Sequence, residues 1–286
     1  MKLLIDIGNT RLKVGWLQHD GSNFRREPEP LALPVSQFKQ LGQLLAQVPD
    51  IPSTVWAVNV NGADIPKRLE AALQTHYKHT VAVHWLHSQT QALDVQNSYQ
   101  PTQQLGADRW AAMLGLAWRI RQLETPPDSA LLASFGTATT LDTLFVDTFP
   151  HCRYAGGLIL PGAELMRHSL AGGTANLPIS KGAAALYPYN TQLAINSGVA
   201  AAQSGALIYQ ALAIKHDTGQ LPTLFVSGGA WPQLKPHLLA AVKNYLHSAD
   251  LENPAKQTQV HWIANPVLDG LAAVAQAHDE HRFSDY

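Results

Sequence analysis

Asp6-Ile7-Gly8-Asn9-Thr10 and Ser134-Phe135-Gly136-Thr137-Ala138-Thr139-Thr140 are two short segments of the same design. Each is preceded by a run of apolar residues and leads into another: residues 3–5 and 12–17 flank the first, residues 130–133 and 141–146 the second. An apolar run, a tight glycine turn and a second apolar run read as a β-hairpin. Gly8 and Gly136 occupy equivalent places, so the chain reads as a duplicated unit. Two such turns facing each other across a cleft can hold a polyphosphate. Backbone N–H groups, threonine hydroxyls and the Asn9 amide supply donors, and Asp6 can hold Mg²⁺ through water.

Around these turns, strands and helices alternate, which gives an α/β class. Strands are expected over 54–59, 80–85 and 224–226. Helices are expected over 37–47, 63–75, 107–120, 161–170, 191–214 and 265–277. Asp20-Gly21-Ser22-Asn23 reads as a turn, 88–105 as an irregular surface loop, and Gly156-Gly157 as a second loop. Thr125-Pro126-Pro127-Asp128 divides the chain into an expected N-terminal half, 1–124, and C-terminal half, 125–286.

The chain has 286 residues, enough for two such halves, and a net charge of −1. That balance, with no long basic run, argues against a broad nucleic-acid or membrane surface. Cys152 is the one cysteine, so no intrachain disulfide and no cysteine zinc cluster can form. Asp6 interrupts the first apolar run too early for a signal peptide, and a cytoplasmic protein is expected.

Three further constellations carry chemistry. Gly106-Ala107-Asp108-Arg109 opens a helix. Asp108 there can simply favour the positive helix end, or accept a proton from a substrate hydroxyl, with Arg109 clamping a carboxylate. Ser227-Gly228-Gly229-Ala230 is a strand-to-helix turn, or a glycine surface on which adenine can lie. Gly198, residues 200–202 and Gly205 form a small-residue stripe that suits either packing within the subunit or a helix pair across a two-fold axis. His76, His79, His84 and His87 lie at short spacings, but no cysteine accompanies them, and surface histidines are the better reading.

Taken in order, these residues resemble the type III pantothenate kinases, the Bvg accessory factor family, over nearly the whole chain. The match rests on Asp6 to Thr10, Tyr99, Gly106 to Arg109, Gly136 to Thr140 with Asp142, Gly156-Gly157-Leu158, Pro161-Gly162 and Thr174-Ala175-Asn176-Leu177-Pro178. It continues through Thr191, Ala194-Ile195, Ser197-Gly198 and Ser227-Gly228-Gly229. The segment 134–142 looks most like the Bordetella-type branch. The resemblance implies duplicated ribonuclease-H-like halves of the acetate and sugar kinase, heat-shock chaperone and actin superfamily. It also implies phosphorylation of pantothenate by ATP and Mg²⁺, the first step of coenzyme A synthesis, in a homodimer.

By the same resemblance Asp108 is the base. Asp6, Ile7, Gly8, Asn9, Thr10, Arg11, Leu12 and Lys13 form the first phosphate site, and Thr137 lies at the second. Tyr99, Gly106, Ala107, Asp108, Arg109 and Thr191 contact pantothenate. The family usually carries Asp at the position of Ser134, where it helps to hold potassium or ammonium. Ser134 keeps an oxygen and loses the charge, which weakens a cation site there. The alternative function is a catalytically weak, nucleotide-binding regulatory protein of the same fold.

Overall fold

Each of the two glycine turns closes a hairpin within a mixed sheet, six-stranded for the first turn and seven-stranded for the second. The structure, a computed structural model, describes residues 1–20, 23–246 and 260–280. The chain forms two compact units. The first comprises Met1–Pro126, Asp147–Tyr154 and Ala264–Tyr286, and the second comprises Pro127–Val146 and Ala155–Ile263. The units are therefore interleaved in sequence rather than split once near residue 125.

In the first unit, β1 (Lys2–Ile7) and β2 (Arg11–Asp20) pair antiparallel, and β3 (Asn23–Arg26) and β4 (Leu31–Pro34) both pair with β2. A short helix α1 (Leu41–Leu45) leads to β5 (Thr54–Asn59), which is parallel to β1. Helix α2 (Ile65–Tyr77) leads to β6 (Ala82–Trp85), parallel to β5. The order is β3-β2-β1-β5-β6. Side chains alternate across a strand, so Leu3, Ile5 and Ile7 enter a core with Phe38, Leu41, Ile65, Leu69 and Leu73. The other face of β1 carries Lys2, Leu4 and Asp6. A short ribbon of β7 (Gln91–Ala92) and β8 (Val95–Asn97) precedes α3 (Ala107–Ile120).

The second unit repeats the plan. Strands β9 (Ser129–Phe135) and β10 (Ala138–Thr148) form the hairpin, and β11 (His151–Pro161) follows. Helices α4 (Ala163–Gly173) and α5 (Thr191–Thr218) lead to β12 (Thr223–Ser227), and α6 (Trp231–Ala241) leads to β13 (Val260–Trp262). The order runs β11-β10-β9-β12-β13, with β9, β12 and β13 parallel, and the sheet continues beyond β11 through β8 and β7. Both sheets thus read third, second, first, then two parallel strands reached by helical crossovers. Leu131, Ala133, Phe135, Leu224 and Val226 pack under α5 and α6, against Val199, Leu207, Ile214, Leu234 and Leu238.

Several expectations are corrected. Residues 37–47 form a 3-10 turn over Val35–Gln40 and only then the short α1, because Pro34 enters in an extended conformation and no side chain caps the turn. Gly156 and Gly157 lie inside β11, not in a loop. A side chain at Gly157 would meet Leu141 O at 2.2 Å, so the glycine serves close strand packing. Residues 88–105 are more ordered than a surface loop: β8 pairs with Cys152–Tyr154 and Val95 is fully buried. Of the expected turn at 20–23, Gly21 and Ser22 lie outside the described residues.

Helix α3 is buried along most of its circumference rather than on one face. Its partner is the C-terminal helix α7 (Pro266–Asp279). The two meet backbone to backbone. A Cβ on Gly115 would lie 2.2 Å from Pro266 O, and one on Gly270 would lie 1.9 Å from Ala111 O. Asp269, fully buried, accepts from Arg26 Nε at 2.6 Å and from Arg119 Nε. Lys2 Nζ donates to Ala275 O at 2.6 Å. Neither obstructing atom at Gly270 or Gly115 is a flexible side-chain end, so a methyl group must push the helices apart. Gly270→Ala is expected to destabilise the protein by about 1–3 kcal/mol or more. Gly42→Ala in α1, where nothing lies within 4 Å, should gain roughly 0.5–1 kcal/mol from helix propensity. Urea denaturation of both variants checks the contrast.

Candidate active site

The register of the first hairpin places Lys13 opposite Asp6. Lys13 Nζ lies 3.3 Å from Asp6 Oδ2. Burial pushes the Asp6 carboxyl above the usual range, and the Lys13 charge and hydrogen bond pull it back. The turn between the strands is held from behind. Gly8 N–H donates to Arg11 O at 3.0 Å, and Val35 N–H donates to Thr10 O at 2.9 Å. The Asn61 amide donates to Gly8 O at 3.2 Å and to Asn9 O at 3.0 Å. Asn61 is in turn set by Asn59, whose Oδ1 accepts from Asn61 N–H at 2.9 Å. The carbonyls of residues 8–11 are thus taken up by the protein, while the Asn9, Thr10 and Arg11 side chains are exposed. Ile7 and Leu12 are core residues, so only their backbone atoms are available at the turn. Sequence reasoning did not find Asn59 and Asn61; the Asn-x-Asn that ends a buried strand was the available signal.

The second turn is one residue shorter and closes two residues on: Gly136 N–H donates to Ala138 O at 3.0 Å. Thr137 is exposed at its tip, and Gly162 N–H donates to Thr137 O at 3.0 Å. A side chain at Gly162 would strike Gly136 O at 2.2 Å, which accounts for the glycine after Pro161. Gly228 has φ 101°, and its Cβ would lie 2.2 Å from Phe135 O. Its conformation and the neighbouring strand both demand glycine. Gly229 has open space where a side chain would stand.

Ser134 lies in a row with Thr140 on one side and Ser227 on the other. It is a row of hydroxyls with no charge of its own. Asp142, two residues along β10 and on the same face, is buried. Thr191 is exposed in the first turn of α5, where Asn190 caps the helix by accepting from Leu193 N–H at 2.9 Å.

The start of α3 carries the densest chemistry in the first unit. Gly106 precedes the helix, and a Cβ there would lie 2.7 Å from Asp108 Oδ1. The missing side chain leaves room for the Asp108 carboxylate, which accepts from Arg109 N–H at 2.8 Å. The positive end of the helix favours the ionised form. Ala107 is half-buried in the same first turn. Arg109 is buried, and its Nη2 donates to Tyr154 Oη at 2.8 Å. Its guanidinium carbon lies 5.6 Å from the Tyr99 ring centroid, and the Tyr99 and Tyr154 rings are parallel within 2°. Two tyrosines therefore fix one guanidinium by a hydrogen bond and a cation–π contact. Tyr99 is itself set by Asn97 Oδ1, which accepts from Tyr99 N–H at 3.0 Å. Tyr154 escaped the sequence reading because it arrives from β11, far away in the chain.

Among the described residues, no group of three or more His, Cys, Asp or Glu is arranged to hold a metal ion. His84 instead stacks on Trp56, with ring centroids 4.5 Å apart. Mg²⁺ keeps several waters and needs only one or two carboxylates beside phosphate oxygens. Asp6, buried beside the donor-rich turn, fits that demand.

The paired sheets and their glycine turns define the actin-like ATPase fold of sugar kinases. A protein of Sinorhizobium meliloti provisionally assigned as a 2-dehydro-3-deoxygalactonokinase shares the fold, with TM-score 0.52 over 99% of this chain and 100% of that one at 13% identity. The family model for type III pantothenate kinase matches residues 2–212. A type III pantothenate kinase of Bordetella pertussis is 43% identical over 277 residues, 96% of this chain and 97% of its own. That of Bordetella petrii is 43% identical over 282 residues, 98% of each chain. The chain belongs to the type III pantothenate kinase family.

The buried Arg109–Tyr154 pair has a direct test. Tyr154→Phe removes an acceptor from a buried guanidinium, and hydrogen bonds to charged groups are worth roughly 1.5–3 kcal/mol. A loss of that size in denaturant unfolding is expected; an unchanged midpoint would show that the bond holds nothing in place.

Proposed function

We propose that this chain transfers the γ-phosphoryl group of ATP to the primary hydroxyl of pantothenate, giving 4′-phosphopantothenate, the first step of coenzyme A synthesis. The observation that carries the reading is the Asp108–Arg109 pair at the start of α3. A proton acceptor and a fixed, planar carboxylate-binding group sit on adjacent residues of one rigid element. Pantothenate carries a hydroxyl at one end and a carboxylate at the other. Arg109, held by Tyr99 and Tyr154, takes the carboxylate, and Asp108 takes the hydroxyl proton. In a loose phosphoryl transfer the nucleophile keeps its proton until late, so an ordinary aspartate is a sufficient base.

Each glycine turn offers donors suited to ATP phosphates, the first through Asn9, Thr10 and Lys13, the second through Thr137. Gly229 offers a face without a side chain for adenine. Mg²⁺ would be held by Asp6 through water, and when bound it offsets phosphate charge. Exposed Gly198, Ala201, Ala202 and Gly205 on α5 suit close approach of a second copy in a homodimer, and Thr191 at the head of that helix is the residue we assign to pantothenate there. No helix among the described residues is long and apolar enough to cross a membrane, and we place the reaction in the cytoplasm. A regulatory protein that binds nucleotide without turnover is the second reading, and the altered cation position at Ser134 is what favours it.

Asp108→Asn keeps the shape and cannot take a proton. It should fold and bind ATP normally and lose about a hundred- to ten-thousand-fold in kcat. Purified protein with ATP, Mg²⁺ and pantothenate, scored for 4′-phosphopantothenate, gives the answer. No turnover in the parent would favour the regulatory reading, and full turnover in the variant would remove Asp108 as base.

Ser134 generates a further expectation. A row of neutral hydroxyls competes poorly with water for a monovalent cation, so the rate should depend weakly on potassium or ammonium. Ser134→Asp should introduce or strengthen that dependence. Initial rates against potassium at constant ionic strength, balanced with a bulky organic cation, test it; a strict potassium requirement in the parent would refute it.

A further inference from the structure

The second unit contains a cavity of about 300 Å³ lined by α4, the segment that follows it, the start of α5, and α6. Its polar wall is cationic. Arg167 of α4 is only 6% exposed. Its Nε donates to Asn196 Oδ1 at 3.3 Å and its Nη1 to Glu164 Oε2 at 3.3 Å. Its Nη2 has no protein acceptor among the described residues, and the residue lines the cavity. Asn196, itself buried, is oriented by Ser180, whose Oγ accepts from its Nδ2 at 3.1 Å. Lys181 stands at the mouth, with Nζ 3.6 Å from Glu164 Oε1. His237 of α6 completes the polar side, and Ala200 and Leu234 form an apolar one.

A guanidinium taken out of water needs its donors satisfied. Glu164 takes one nitrogen of Arg167 and lies outside the lining. It also lies 3.6 Å from Lys181, one carboxylate against two cations, and the lining itself has two permanent cations, an imidazole and two amides, Asn196 and Gln233, with no carboxylate. The planar fork of arginine, backed by the point charge of lysine, is the chemistry that recognises phosphate oxygens. None of these residues belongs to the groups assigned above to ATP, Mg²⁺ or pantothenate.

We infer that this cavity is a second anion site, which takes a small phosphate-bearing molecule: inorganic phosphate or the phosphate end of a monoester. Arg167 is the anchor, Lys181 the outer charge, and Ala200 with Leu234 the wall against which an ester's carbon atoms rest. Asn196 lies on α5 five positions after Thr191, so an anion here braces the first turns of that helix.

The test is thermal unfolding of the full chain titrated with inorganic phosphate, and in parallel with glycerol 3-phosphate, at constant ionic strength. A saturable rise in melting temperature is expected. Arg167→Met should abolish the rise. Lys181→Gln, at a side chain 72% exposed and safe for folding, should move half-saturation to higher concentration. Lys13→Met, at the first turn, should leave the rise in place. A lower half-saturation for glycerol 3-phosphate assigns the site to monoesters, and an equal or higher one assigns it to free phosphate. No saturable rise in the parent, an unchanged titration in Lys181→Gln or in folded Arg167→Met, or loss of the rise in Lys13→Met would overturn the inference.

Discussion

The close contact between α3 and α7 is the constraint on which the first unit depends. Gly115 and Gly270 let two helices approach until backbone meets backbone. Side chains at a helix interface normally set the spacing; here their absence does. The contact fixes α3 along its length, and the first turn of α3 carries Asp108 and Arg109. Asp269 adds a charged tie from the same helix. Burying a carboxylate is costly unless it is well paired, and Asp269 meets both Arg26 and Arg119. Removing either partner would leave a buried charge poorly compensated, so the tie favours this one arrangement of β3, α3 and α7 over others.

The two turns show how a duplicated fold divides its work. Gly8 and Gly136 each donate to a carbonyl across their turn at 3.0 Å, three residues on in the first and two in the second, and a Cβ at either would lie 3.3 Å from that carbonyl. Their surroundings differ. The first turn has a buried carboxylate and a lysine on facing strand positions, while the second is flanked by hydroxyls at Ser134, Thr140 and Ser227. The first turn pairs a carboxylate with a lysine, whereas the second has neutral hydroxyls beside it and its carboxylate, Asp142, two positions further along β10.

Much of this was legible in the sequence because it is local. The hairpins, strand β5, helix α3 and the long α5 are written in periodicity and turn chemistry, and the candidate site residues lie within them. What stayed hidden depends on contacts distant in sequence. Tyr154 reaches Arg109 from another strand. Gly157 read as a loop glycine and Gly162 as part of a helix, and both are packing glycines whose neighbours lie in β10 and the second turn. Helix α3 read as amphipathic because its pattern does not announce that α7 will cover what periodicity leaves exposed. Strands β11 and β13 lacked clean alternation: glycines interrupt the first, and the second has three residues.

The position of α7 has a consequence for how the protein is made. Residues 266–279 complete the packing around α3, yet the whole second unit lies before them in the chain. On the ribosome, the second unit can close as soon as it emerges, while the first waits with α3 uncovered until its last helix is released. Domains usually fold in the order of synthesis; here the segment that completes the first unit follows the second unit in the chain. The nascent chain carries the uncovered surface of α3 from the synthesis of residue 120 until that of residues 266–279, and the step that buries it also fixes the element that carries Asp108.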